Sequence, residues 1–256
     1  MKQYFIHFFY FVYYEALSCA FPVFIFLTLA LSHLIPHVII PRYDFVLILC
    51  ILFQIFLLYF HLETKQEFLM SLLFHGIGLE LELFKVHMGS WSYPEDAYTK
   101  IAGVPLYSGF MYASVASYII HAWNRFHLRL FYMPSFFLST ILCSAIYLNF
   151  FTHHFMYDFR WVLVGLLVIV YRKTIVIFTI KEQTYNMSAM LSLVLISLFI
   201  WFAENISTFL GAWKYPNQMT SWALVHIGKI NSWFLLVMIS FIIVSFFKQR
   251  SSIQHA

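Results

Sequence analysis

About eight stretches of this sequence are apolar enough to be candidate helices through a bilayer, and no stretch between them is large enough to fold as a soluble domain. Crossing a hydrocarbon core of ~30 Å takes about 20 mostly apolar residues. A window of that order places the stretches near 16–35, 43–60, 67–88, 105–124, 131–150, 158–172, 188–210 and 226–247. Composition agrees, with 62% of the 256 residues hydrophobic and 10% charged, where soluble domains run about 45–50% and 25%. These values exclude a soluble globular protein and a disordered chain. The net charge of +4 is spread thinly with no basic block, which excludes nucleic acid as a partner. The expected fold is all-α: a polytopic transmembrane helical bundle of about eight spans, forming a single integral membrane domain over residues 1–256.

Details at the edges follow from the same reading. Residues 5–14 form an aromatic interfacial segment, and the N-terminus lacks a small-residue cleavage site, so it is expected to be retained. The sixth stretch is short and abuts TIVIFTI (174–180), which leaves a ninth segment, re-entrant or spanning, as an alternative. Cys19, Cys50 and Cys143 lie inside apolar runs, as inert buried thiols do. With eight spans, one side carries Lys2, Lys65, Arg125, Arg129, Arg172, Lys173, Lys181, Lys248 and Arg250. The other side carries Arg42, Lys85, Lys100, Arg160, Lys214 and Lys229. The positive-inside rule then puts the first side, with both termini, in the cytoplasm of a cell-membrane protein.

A repeated string is the most informative feature. Glu82 precedes Gly89-Ser-Trp91-Ser-Tyr93-Pro94 by six intervening residues, and Glu204 precedes Gly211-Ala-Trp213-Lys-Tyr215-Pro216 by the same interval. Both read E-x6-G-x-W-x-Y-P, 122 positions apart. An internal parallel repeat is expected, with copies near 67–105 and 188–228. Each Gly suits a helix C-terminus, the aromatics suit the membrane interface, and the Pro stops the helix. Each Glu lies seven residues before its Gly, roughly 10 Å inside the helix end. An acid at that depth costs roughly 2.5–3.5 kcal/mol on insertion scales unless partnered, so it calls for a reason.

Around Glu82 the third stretch carries Ser71, His75, Gly78, Lys85 and Gly89 at spacings of three and four, one polar or small stripe expected to face the bundle. Ser197, Glu204, Ser207 and Gly211 form a thinner counterpart. Such residues also serve plain helix packing. The catalytic candidates are Glu82 and Glu204 as acid/base groups, with His75 and Lys85 to tune or reload them. Glu80, His87, Trp91, Tyr93, Trp213, Tyr215, His226 and Lys229 are candidate substrate contacts, and Lys85 and Lys229 could equally be counter-ions. Twelve histidines invite a metal, but Pro36 breaks the face that His33 and His37 would share. His153, His154 and Asp158 sit at a span boundary, and His121, His127, Trp123 and Arg125 suit lipid headgroups. No metal or cofactor is expected.

At FKVHMGSWSYPE, GVPLYSGFMY, IWFAENISTFLGAWKYPNQ and VHIGKINSW the chain resembles the domain of unknown function 817 family of bacterial integral membrane proteins. The resemblance covers nearly the whole chain and implies no particular chemistry. A shorter likeness, from Glu82 to Pro105, is to membrane lycopene cyclases and carotenoid hydratases, and it implies an isoprenoid substrate. The expected function is a membrane-embedded acid/base enzyme acting on an apolar or isoprenoid-type molecule among membrane lipids. The alternatives are a small proton- or cation-coupled transporter and a structural partner subunit.

Overall fold

The computed structural model describes residues 2–34 and 40–254, and places nine α-helices among them. They divide between two compact units. The corner unit comprises 20–117 and 202–226, and the sheet unit takes the remainder of the chain.

In the corner unit, α2 (Ala20–Ser32) packs on α3 (Arg42–Tyr59), and α4 (Lys65–His87) follows. Thr64 starts α4 through a capping box, its hydroxyl accepting from the Glu67 backbone N–H while the Glu67 carboxylate accepts from the Thr64 N–H. A two-stranded ribbon of β1 (Lys100–Ile101) and β2 (Val104–Pro105) leads into α5 (Ser108–Arg125), whose first half belongs here. The last turns of α8 (Ala189–Phe209) and a short 3-10 helix (Pro216–Gln218) complete the unit.

The sheet unit holds α1 (Lys2–Ser18), the end of α5, α6 (Phe136–Thr152), α7 (Arg160–Tyr171) and α9 (Lys229–Gln254). The segment from Phe234 to Ile242 in α9 is buried on every side, which makes it a core helix, packed on α6 and α7. A three-stranded antiparallel sheet, β3 (Arg129–Phe131), β4 (Ile175–Ile180) and β5 (Gln183–Ser188), rests on aromatic packing by Phe126, Phe11 and Tyr14.

Each expected stretch coincides with a helix from α2 to α9, and residues 5–14 lie within α1. Two expectations need correction. The fold is mostly helical but not all-α, and TIVIFTI is neither re-entrant nor a ninth span: it forms β4, paired on both edges. Its β-branched side chains favour a pleated strand, with Val176 and Ile180 turned inward. Span length also departs from expectation. Among the described residues, three helices are long and apolar enough to cross a membrane: Arg42–Tyr59, Ala189–Phe209 and Lys229–Gln249. A fourth results if Gln3–Ser18 and Ala20–Ser32, broken at Cys19, count together. The 23-residue α4 has the length but carries Glu67, Glu80, Glu82 and Lys85, and α6 and α7 have only 17 and 12 residues.

Candidate functional site

The two helix ends that precede the repeated aromatics close in the same way. At α4, the Gly89 N–H donates to Val86 O (3.0 Å) and the Ser90 N–H to Lys85 O (2.9 Å). At α8, the Gly211 N–H donates to Thr208 O (3.1 Å) and the Ala212 N–H to Ser207 O (2.9 Å). Gly89 and Gly211 take left-handed φ values of 70° and 71°, the conformation such an ending demands and glycine meets without strain. The chains that leave these ends pair with each other. Ser92 and Lys214, which hold matching positions in the two strings, exchange both backbone hydrogen bonds at 2.9 Å in an antiparallel bridge.

This pairing sets the acids among aromatic hydroxyls. Glu82 is 3% exposed. Its Oε2 accepts from Trp91 Nε1 (2.7 Å) and Tyr93 OH (2.8 Å), and its Oε1 accepts from Tyr112 OH (2.8 Å). Glu204 is as deeply buried, and its Oε1 accepts from Tyr215 OH at 2.5 Å. Trp91 and Tyr215 meet edge to face with ring centroids 6.0 Å apart, so a chain of two hydrogen bonds and one ring contact links the acids. Trp213 is buried two residues before Tyr215. Burial first, then the Glu204 charge and at longer range that of Glu82, hold the Tyr215 phenol well above its ordinary range. Burial and Glu82 do the same for Tyr93. Both phenols therefore stay protonated and donate.

A second polar layer braces the helix ends. Arg42 is buried and caps the C-terminus of α8, donating from Nη1 to Gly211 O (3.2 Å) and from Nη2 to Leu210 O. It also pairs with Glu95 (2.6 Å) and donates from Nε to Ser32 Oγ (2.7 Å). Asp44 accepts from the Tyr98 and Thr99 N–H groups (2.7 and 3.0 Å), and Lys100 Nζ donates to Tyr93 O (2.7 Å). Tyr107 OH donates to Ala212 O (2.5 Å), a direct tie between the two corners.

The structure thus gathers Glu82, Glu204, Trp91, Tyr93, Trp213 and Tyr215. Lys85 is buried, and Ser71 and Gly78 of its stripe are buried with it. His75 lies two turns before Glu82, its ring 4.6 Å from that of Phe110. Glu80 and His87 are exposed, as is His226, in the connection that Asn205 Oδ1 holds by accepting from the Val225 N–H. Lys229 opens α9 in the sheet unit. Among the described residues no three His, Cys, Asp or Glu side chains gather as a metal would require. His33 Nε2 lies 3.1 Å from Arg42 Nη2, and His37 falls outside the described residues. Sequence reasoning missed Tyr112, Tyr107, Arg42, Glu95 and Asp44. A lone Arg and Asp opening an apolar run were a usable signal for two of these.

The family described as "Protein of unknown function (DUF817)" matches residues 7–241. The chain belongs to this family. "Uncharacterized protein YoaT" of Bacillus subtilis (strain 168) is 57% identical over 235 residues, which is 92% of this chain and 89% of that relative. No solved structure matches. Nothing in these comparisons supports the likeness to lycopene cyclases and carotenoid hydratases.

Proposed function

We propose that this chain is a multi-pass cell-membrane protein, both termini cytoplasmic, whose Glu82–Glu204 centre binds a proton or small cation in a coupled carrier. The two corners would be copies of one ancestral unit, a reading supported by their identical helix endings and by the pairing of matching positions Ser92 and Lys214. The observation that carries the carrier reading is Glu82. Both of its oxygens accept hydrogen bonds, Oε2 from Trp91 and Tyr93 and Oε1 from Tyr112 among its partners. An acid that protonates an alkene must turn an O–H toward its substrate. Glu82 is arranged instead as an acceptor, which suits capture of a proton or cation.

The enzyme reading keeps one supporting observation. Trp91, Tyr93 and Tyr215 donate to the same acids, which sets aromatic rings beside them, and aromatic faces stabilise a cationic intermediate such as an isoprenoid carbocation. Glu204 would then serve as the acid. Glu82→Gln and Glu204→Gln, each checked for normal protein level, separate the readings. With reconstituted vesicles, the carrier reading expects proton or cation flux in the parent and its loss in both variants, with cellular lipids unchanged. An altered lipid profile without flux would transfer the site to the enzyme reading. Unchanged results in both assays would leave the acids as braces of the corners.

A further inference from the structure

The sheet unit contains a second polar feature, unrelated to the acidic centre. Where α5 ends and β3 begins, an open groove of about 420 Å³ is lined by Trp123, Asn124, His127, Leu128, Arg129 and Thr179. Among the described residues no carboxylate lines it, whereas His127 and Arg129 do, and both are exposed. Lys248 of α9 adds a further cation at the rim by donating to Asn124 Oδ1 (2.8 Å). Arg125 lies on the same last turn of α5, and its Nε is buried without a hydrogen-bond partner among the described residues. A buried donor left unsatisfied costs about 1–3 kcal/mol, so it calls for an acceptor.

Cations at a helix C-terminus often serve only to cap its carbonyls. Here the backbone has already done so. The Leu128 N–H donates to Trp123 O (3.0 Å), the His127 N–H to Asn124 O (3.4 Å) and the Thr179 N–H to Phe126 O (2.8 Å). The side chains of Arg125, His127 and Arg129 are therefore not required for capping and can serve an outside anion. His127 holds this ending with φ at 49°, where glycine is the easy choice. A histidine kept in that strained position places an imidazole on the groove wall, the kind of local cost associated with ligand sites.

We infer that this groove binds the phosphate headgroup of an anionic phospholipid, with Arg125, His127 and Arg129 facing the phosphate. Trp123 and Leu128 supply the adjoining apolar wall. A free phosphate has no use for that wall, whereas a lipid glycerol and acyl root do, and an indole suits the same depth. This inference rests on the membrane character of the chain and is independent of Glu82 and Glu204.

The test is native mass spectrometry of protein released from nanodiscs made of equal parts phosphatidylcholine and phosphatidylglycerol. The parent protein should retain phosphatidylglycerol in excess. Arg125→Gln with Arg129→Gln should reduce that excess by about 30-fold, the effect of two surface charges near a lipid headgroup. The double variant to Lys should keep most of it, which controls for folding. Lys173→Gln, outside the groove lining, should leave it intact. Equal retention of the two lipids, or an equal loss in Lys173→Gln, overturns the inference. So does an increase in Tm on adding inorganic phosphate in neutral detergent that the Gln variant lacks, since that assigns the groove to a soluble anion. Glu82→Gln should not change the lipid ratio, so failure of the acidic centre would not imitate failure here.

Discussion

A Cβ placed on Gly78 would run into the Cβ and Cγ of Tyr112, and the ring it would strike is the one whose hydroxyl reaches Glu82. The atoms struck are near the root of the side chain, so a rotamer change cannot relieve the clash. Gly78→Ala should therefore destabilise the protein and draw Tyr112 off the acid. Tyr112→Phe, which removes only the donor, should cost about 1.5–3 kcal/mol if the bond is to an ionised carboxylate. Gly78→Ala combined with Tyr112→Ala should cost clearly less than the sum of the single changes, as read from thermal unfolding in detergent. Simple additivity would place the Gly78 effect elsewhere. Glu63, in the connection before α4, poses a titration problem instead. It is buried, and it accepts from Gln54 Nε2 and from Ser71 Oγ (3.0 Å). Burial outweighs these two bonds, with help from the Glu67 charge, and holds the carboxyl above the usual range. The folded state therefore holds this proton more tightly than the unfolded chain does. Its stabilising contribution is complete below the ordinary glutamate value of ~4.3 and is lost as pH rises through the higher folded value. Glu63→Gln should flatten that fall in a Tm-versus-pH series. A slope equal to the parent's would show that Glu63 does not cause it.

At the scale of elements, the two matching helix ends make a controlled comparison. Gly89 and Gly211 share a left-handed φ, but a Cβ on Gly89 meets nothing within 4 Å, while one on Gly211 meets Arg42 Nη1 at 3.0 Å. Gly89→Ala should cost about 1–2 kcal/mol, the ordinary penalty of a left-handed alanine. Gly211→Ala should cost more, because the guanidinium that caps α8 must move, and Arg42→Ala should abolish the difference. Equal losses in the two Gly variants would mean that Arg42 yields freely. The sequence announced these ends because their logic is local: a glycine, then interface aromatics, then a proline. The burial of Glu82, Lys85 and Ser71 was legible for a similar reason, since helical spacing alone puts them on one stripe. Tyr112, Tyr107 and Arg42 were not legible as site residues, because their roles arise from pairings between segments distant in sequence, which periodicity does not encode. TIVIFTI failed differently. A seven-residue apolar run fits a buried strand or a piece of a span equally well by hydropathy, and here its β-branched content was the better guide.

For the whole molecule, hydrogen bonds within each unit bring particular connections together, and the proposed multi-pass arrangement must keep each such group on one side of its membrane. In the sheet unit, β3 lies between α5 and α6 and pairs with β4, which lies between α7 and α8. The end of α9 reaches the same region through Lys248 and Asn124. The start of α1 reaches it through His7 Nδ1 and Tyr185 OH (2.6 Å) and through Tyr10, whose ring has Lys181 Nζ 3.8 Å from its centroid. In the corner unit, the start of α3 and the α4–α5 and α8–α9 connections join through Arg42, Glu95, Ser92 and Lys214. In the proposed topology, with α1 and α2 together making the first of eight passes, each of these groups of connections would fall on one side. That would not hold if α1 and α2 each cross, because the N-terminus would then change sides while the C-terminus stayed. Reporter tags at the N-terminus, between Arg172 and Lys173, and at the C-terminus should therefore read alike, and cytoplasmic, given the nine Lys and Arg expected there. Tags after Asp96 and after Thr220 should agree with each other. An N-terminal tag that disagrees with the C-terminal one would make α1 a pass of its own, and a disagreement between the tags after Asp96 and Thr220 would break the alternation on which the parallel repeat depends.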